Sequence, residues 1–266
     1  MKIKSKILII AGSDSGAGAG LQADLKTCSA HNVYASTVVT AITAQNTIGV
    51  DEVMNIPSSI IESQIKTISR DLKTSIIKIG MLSNSNIIEI VSFCLRKYFI
   101  EIPVILDPVM VAKGGHSLLN DDSVESLKKE LFPKSFLITP NLPEAEKILK
   151  TQIKNNKDME DSVEMFSKFS VKNILIKGGH LSEEKITDLL INDGKVYKFK
   201  SDKIKTSDTH GTGCTLASAI ACNIFKGFNL HDSVNNARNY VINCINNPCI
   251  IGSGHNPLNH FYNLFN

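Results

Sequence analysis

No stretch of the 266-residue chain approaches the roughly 20 consecutive apolar residues of a membrane span. The apolar run Ile7-Leu8-Ile9-Ile10-Ala11 follows a basic segment, Met1 to Lys6, but it is shorter than a signal-peptide core and enters a Gly-Ser-Asp loop instead of a cleavage site. Basic clusters with interleaved aromatics are also missing. Aromatic residues make up 6% of the chain, and lysines are scattered among the acids at a net charge of +3, which argues against nucleic acid as a partner. The six cysteines, Cys28, Cys94, Cys214, Cys222, Cys244 and Cys249, form no C-x-x-C pair and no regular spacing, which fits mostly buried thiols in a reducing cytoplasm. Repeats, low-complexity tracts and linkers are absent, so the 42% apolar composition is read as one domain over residues 1–266.

Two nucleotide-binding signatures are lacking as well. The glycines at 16, 18 and 20 do not give G-x-G-x-x-G, and no G-K-[ST] makes a P-loop. What is present is a short apolar strand from Ile7 to Ala11, a glycine loop, and a helix marked by Leu21, Leu25 and Cys28. That order opens a doubly wound α/β sheet, whose ligands lie beyond the carboxyl ends of its strands. Further strands are expected at Ser36 to Ala41, Ile76 to Ile79, Val104 to Leu106, Phe136 to Ile138 and Asn173 to Lys177, with amphipathic helices between them. Ile186 to Lys205 alternates like a meander of short strands.

Polar residues cluster where those strands end. Gln45 leaves the second strand, as a ligand-side residue or a solvated turn residue. Asp107 ends a buried strand and must be solvated, paired or used. Asn141 and Glu144 have the spacing of a capping box. Lys177 closes an apolar run, as a snorkelling edge residue or a phosphate ligand.

The densest cluster is Asp208-Thr209-His210-Gly211-Thr212-Gly213-Cys214-Thr215, followed by an apolar helical face and by Gly227 as a C-terminal cap. Unpaired N–H groups and the dipole at such a helix start suit a phosphoryl group in transit. A thiol placed there is expected to have a depressed pKa, fit for a base or a nucleophile. The bland alternative is a capped core helix with a buried cysteine.

In order and spacing, the blocks resemble the hydroxymethylpyrimidine and phosphomethylpyrimidine kinases of thiamine biosynthesis, within the ribokinase-like superfamily. The blocks are Ala11-Gly12-Ser13-Asp14, Gly18 to Lys26, Ala44 to Thr47, Lys78 to Leu82, Asp107 to Lys113, Thr139 to Ala145, Lys177 to His180 and Thr209 to Thr215. The resemblance implies a ribokinase-like, mostly parallel sheet flanked by helices on both faces, with a short meander. It also implies a homodimer that uses ATP and Mg²⁺, a small pyrimidine as substrate, and no membrane. By resemblance, Cys214 is the base within the anion hole of Gly211, Thr212 and Gly213. Gln45 reads the ring edge, Met81 and Val109 sandwich the ring, and Gly12 and Asp24 line the first loop. Lys177, Asp107 and Asp208 lie on the nucleotide side, and Glu144 holds the metal through water. For Met81 and Val109 a plain core role is the alternative.

Ala17, where the family usually has glycine, and Gly114, where it often has serine after Lys113, depart from the pattern. Three rivals remain: a pyridoxal-type vitamin kinase of the same fold, a thiol hydrolase using Cys214 and His210, and a non-catalytic nucleotide-binding module. The last is disfavoured by the intact set of Glu144, Lys177 and Cys214.

Overall fold

The computed structural model describes residues 7–111, 119–181 and 183–263. Met1 to Lys6, Lys113 and Gly114 lie outside the described residues. The apolar runs form strands β1 (Ile7–Asp14), β2 (Ala35–Gln45), β4 (Ile76–Ile79), β5 (Val104–Leu106), β6 (Leu137–Ile138) and β7 (Asn173–Ile176). Strands β3 (Val50–Asn55), β8 (Lys185–Asn192) and β9 (Lys195–Asp202) complete a nine-stranded sheet in the order β3-β2-β1-β4-β5-β6-β7-β8-β9. The centre from β2 to β7 is parallel, and β3, β8 and β9 are added antiparallel. β8 and β9 are the expected meander.

Strands buried on both faces need helices on both. Alternation along β1 sends Leu8 and Ile10 into one core and Ile7, Ile9 and Ala11 into the other. The first core is closed by α2 (Ser58–Asp71), α3 (Ser85–Tyr98), α4 (Asp121–Glu130), α5 (Leu142–Leu149) and α6 (Asn156–Phe166). The second is closed by α1 (Gly20–Ala30), α7 (Thr212–Phe225) and α8 (Leu230–Asn246). Asparagine starts many of these helices: Asn84, Asn120, Asn141, Asn155 and Asn229 each accept a hydrogen bond from the third helical N–H. α7 ends as expected, with Gly227 at φ +93° just past its last turn.

Two differences from expectation shape the site. β1 continues through Gly12 and Ser13 to Asp14, and β2 runs on to Gln45, so residues expected in loops are strand residues. β3, which hydrophobicity does not betray because its residues are exposed or half-buried, pairs with the end of β2 and holds it extended. Strand order reverses around β1, whose neighbours are β2 and β4. The carboxyl ends of β1 and β4 therefore frame the crevice where such sheets take ligands.

The loop between β1 and α1 turns at Ala17, which adopts φ +58°. A side chain in the left-handed region costs about 1–2 kcal/mol, of which glycine gives back a part through its freer unfolded chain. Ala17→Gly is accordingly expected to raise the unfolding free energy by about 0.5–1 kcal/mol. An unchanged or lower urea midpoint would show that the loop carries no such strain.

Candidate active site

Two groups of side chains meet along the carboxyl edge of the sheet. On one side, Asp107 after β5, Thr139 after β6 and Lys177 after β7 converge. Lys177 Nζ donates to Asp107 Oδ1 at 2.8 Å, and Thr139 Oγ1 donates to the same oxygen at 2.9 Å. Burial works against the Asp107 carboxylate, but Lys177 and then Lys78 outweigh it and hold it below its ordinary range. α7 starts against this pair: a Cβ on Gly213 would stand 3.3 Å from both Asp107 Oδ2 and Lys177 Nζ. The expected capping box is present, with Asn141 Oδ1 accepting from the Glu144 N–H and Glu144 Oε2 accepting from the Asn141 N–H. Glu144 is nevertheless only 4% exposed. Burial pushes its carboxyl up to about 7, with Lys177 opposing and the Asp107 charge adding to the rise.

On the other side lie Gly12, Met81, Gln45 and His210. Gly12 lies close under Met81: a Cβ there would stand 3.0 Å from Met81 Sδ, which the methionine tip would have to relieve. The side-chain amide of Gln45 lies 3.1 Å from Thr43 Oγ1 and 3.2 Å from His210 Nε2. Gln45, His210, His255 and the turn Asn46 to Val50 line a small cleft. Val109 is half-buried just beyond Asp107, where its N–H donates to the Asp107 carbonyl.

The cradle itself is built by glycine. Gly211, at φ +82°, is the N-cap of α7, and a Cβ on it would collide with the Gly18 carbonyl. No side chain caps this helix, and of its first N–H groups that of Thr212 donates to the Thr209 carbonyl at 3.3 Å. The C-terminal segment clasps the cradle: Asp208 Oδ1 accepts from the backbone N–H and the Nδ2 of Asn256, and the His255 N–H donates to Thr47 O.

Three expectations are corrected here. Asp24 does not line the first loop; it sits inside α1, fully buried, paired at 2.8 Å with the equally buried Lys78 and accepting from Ser218 Oγ at 2.7 Å. Asp208 is turned toward Asn256, whose hydrogen bonds hold its carboxyl below the ordinary range, so its visible partner is the C-terminal segment. Cys214 is not a depressed thiol. Burial, opposed by Lys78 and reinforced by Asp24 and Asp107, pushes it up to about 12. The helix dipole that favours a thiolate is real, but desolvation at a packed helix start is the larger effect.

Lys78 and Asp14 were missed as single residues and His210 entered only as the base of the rival hydrolase, although each lies in a resembling block. Asp14, ending β1, accepts from the N–H groups of Gly16, Gly18 and Ala19 at 2.8, 3.0 and 2.8 Å. The glycine loop therefore wraps its own carboxylate instead of offering those donors to a ligand. A charged residue at the end of a central strand was the available signal.

The sheet order and the polar groups gathered on its carboxyl edge are those of the ribokinase-like phosphotransferases, with which the chain aligns over nearly its whole length. The family follows from comparison: the phosphomethylpyrimidine kinase family matches residues 14–259, and the chain belongs to that family. It is 44% identical to the hydroxymethylpyrimidine/phosphomethylpyrimidine kinase of Bacillus subtilis over 257 residues, covering 96% of this chain and 94% of that one. The corresponding protein of Haemophilus influenzae is 39% identical, with 96% of each chain covered. Among solved structures, phosphomethylpyrimidine kinase from Clostridium difficile aligns with a TM-score of 0.80 at 40% identity, covering 91% of this chain and all (100%) of the other. An ADP complex of Bacillus subtilis pyridoxal kinase aligns with a TM-score of 0.90 at 31% identity, covering 99% and 100%.

Proposed function

We propose that the protein transfers the γ-phosphoryl group of ATP to the hydroxymethyl oxygen of 4-amino-5-hydroxymethyl-2-methylpyrimidine, and then a second phosphoryl group to the resulting monophosphate, within thiamine biosynthesis. One observation carries this reading: an uncapped helix start beside Lys177 and Asp107 faces the same sheet edge as the amide of Gln45. Phosphoryl transfer asks the protein to orient two oxygens and neutralise charge. The N–H groups from Gly211 to Cys214 serve as the anion hole, that of Thr212 once it leaves the Thr209 carbonyl, and Lys177 lies along the nucleotide phosphates with Asp107 fixing its ammonium. Gln45 offers one donor and one acceptor to a ring nitrogen and its neighbouring amine, while Met81, Val109 and Gly12 bound the ring. Asp24 and Asp208 act from behind, through Lys78 and Asn256.

Glu144 fits a role in holding Mg²⁺ through water. Burial and the Asp107 charge raise this carboxyl against the pull of Lys177, so a cation beside it would favour its ionised form. Such a donor suits an ion held by one or two carboxylates together with phosphates. When bound, the ion neutralises phosphate charge. We further propose one domain, acting as a homodimer in the cytoplasm. The exposed apolar neighbours Ile42 and Met54 at the β3 edge and the free thiols support this, and no described helix is long and apolar enough to cross a membrane.

The pyridoxal kinases among the structural neighbours favour one second reading, phosphorylation of a hydroxymethyl pyridine in the same cleft. A coupled assay with hydroxymethylpyrimidine, its monophosphate and pyridoxal side by side separates the two, and chelation followed by Mg²⁺ should abolish and restore turnover. Preference for pyridoxal would overturn the main reading. A thiol hydrolase is disfavoured, since His210 Nε2 is directed to Asp14 and Cys214 is held as a thiol. Gln45→Ala is expected to lower kcat/KM for the pyrimidine by about 1–3 kcal/mol, roughly 5- to 150-fold, while leaving the KM for ATP alone. An unchanged kcat/KM would place the ring elsewhere.

A further inference from the structure

The contacts around His210 impose a hydrogen-bond order that a glutamine amide by itself does not possess. His210 Nε2 lies 2.9 Å from Asp14 Oδ2, and both residues are buried. Burial raises the Asp14 carboxyl, but the hydrogen bond from His210 and those from the loop N–H groups outweigh it and hold the carboxyl below its ordinary range. An ionised carboxylate only accepts, so Nε2 carries the hydrogen. As placed, the amide nitrogen of Gln45 faces that N–H at 3.2 Å, and Oε1 faces Thr43 Oγ1 at 3.1 Å. Two faults result. Donor faces donor at His210, and the single hydroxyl hydrogen of Thr43 is asked to serve both Oε1 and the Ser13 carbonyl at 3.0 Å. The two ends of an amide have the same shape, so hydrogen-bond logic assigns them. Turning the amide over removes both faults: Oε1 shares the His210 N–H with Asp14, the amide nitrogen donates to Thr43 Oγ1, and the Thr43 hydroxyl donates to Ser13.

We propose that His210, held by Asp14, is the positioning residue that locks the amide of Gln45 with its oxygen on the His210 side and its nitrogen on the Thr43 side, and thereby sets which ring edges the pocket accepts. The inference rests on the reading that Gln45 recognises the ring. A free glutamine can flip to suit a ring edge of either donor–acceptor order; a locked one cannot. The lock selects 4-aminopyrimidines, with an unprotonated ring nitrogen beside an amine, against 4-oxopyrimidines, with a protonated ring nitrogen beside a carbonyl. It is built into the packing, because a Cβ on Gly18 would run into the His210 ring and one on Gly211 into the Gly18 carbonyl.

The test has a spectroscopic and a kinetic arm. In wild-type protein labelled with ¹⁵N-histidine, His210 is assigned from the signal lost in His210→Gln, and long-range ¹H–¹⁵N spectra report which ring nitrogen bears hydrogen. Protonated Nε2 is expected, and a bare Nε2 overturns the lock whatever the variants do. In the kinetic arm, the ratio of kcat/KM for the 4-amino substrate to that for its 4-oxo counterpart is compared across variants. It should fall about tenfold or more in His210→Leu, the worth of one buried hydrogen bond, with the KM for ATP unchanged. His210→Gln, which returns an N–H near the position of Nε2, should restore most of it. An unchanged ratio in His210→Leu overturns the proposal. If instead Gln45→Ala leaves kcat/KM unaltered, the ring is read elsewhere and the specificity claim falls with that reading, whereas the tautomer result stands or falls alone.

Discussion

Lys78→Met is expected to lower the unfolding free energy by about 3–5 kcal/mol, the usual consequence of leaving one partner of a buried ion pair uncompensated. Lys78 and Asp24 are both fully buried at 2.8 Å, on β4 and α1, and Ser218 of α7 donates to the same carboxylate. Burial works against the ammonium, but the Asp24 charge outweighs it and raises Lys78 above its ordinary value. The space for the ammonium is set by Gly80, where a Cβ would stand 3.0 Å from Nζ. Methionine keeps the length of the side chain and fills most of the volume, so the loss reports charge and hydrogen bonding more than a cavity.

The same variant carries a pH signature with a definite sign. Burial already raises the Asp24 carboxyl in the parent, with Lys78 opposing it; without Lys78 it should rise further above its unfolded value of about 3.9. The folded state then keeps a proton that the unfolded state has released, and stability falls as pH rises through that window. Urea midpoints of Lys78→Met should therefore decline from about pH 4 upward relative to the parent. Adding Asp24→Leu should recover most of the loss and abolish the added pH slope, because replacing a whole buried pair by apolar groups is often near neutral. Ser218 can then turn its hydroxyl to the carbonyl one turn back in α7. A single variant as stable as the parent at pH 7 would mean that water or another residue compensates Asp24.

The contrast between what was legible and what was not follows from the range of the interactions. β1 opens and β5 consists of a continuous apolar run, β4 and β7 are apolar but for Lys78 and Asn173, and α7 is announced by two glycines and an apolar face, so local pattern suffices for them. The capping box at Asn141 and Glu144 is likewise local, and it is present. β3 was not legible because its residues pack no core; it exists through pairing with β2. Lys78 and Asp24 are 54 positions apart and Asp14 and His210 are 196 apart, so no spacing rule joins them. The error over Cys214 is of the same kind. Its helix dipole is visible in eight residues of sequence, whereas its desolvation and the charges of Asp24 and Asp107 that add to it arise only in the fold, where the thiol is half-buried.

That correction sharpens what Cys214 should do in the reaction. A thiol with a pKa of about 12 is protonated at neutral pH, and the thiolate fraction rises tenfold with each pH unit below that value. In the first phosphorylation the acceptor is an alcohol, whose proton must leave as oxygen bonds to phosphorus and the ADP oxygen departs. If Cys214 takes that proton, kcat for the first step should climb about tenfold per pH unit from pH 7 upward, levelling only where the thiol titrates in the enzyme–substrate complex. In the second phosphorylation the acceptor is a phosphate monoester, whose second ionisation, near pKa 6, is complete above pH 7. No base is needed, and the profile should be flat. Cys214→Ala should cut the first step by about 10²-fold, the lower end of general-base contributions, and erase its pH slope. The second step should mostly survive on the N–H groups of the cradle. Equal losses on both steps, or a first step already flat with pH in the wild type, would reduce Cys214 to shaping the anion hole. In that case the alcohol proton leaves directly to the phosphoryl oxygens or to water as the loose transition state collapses.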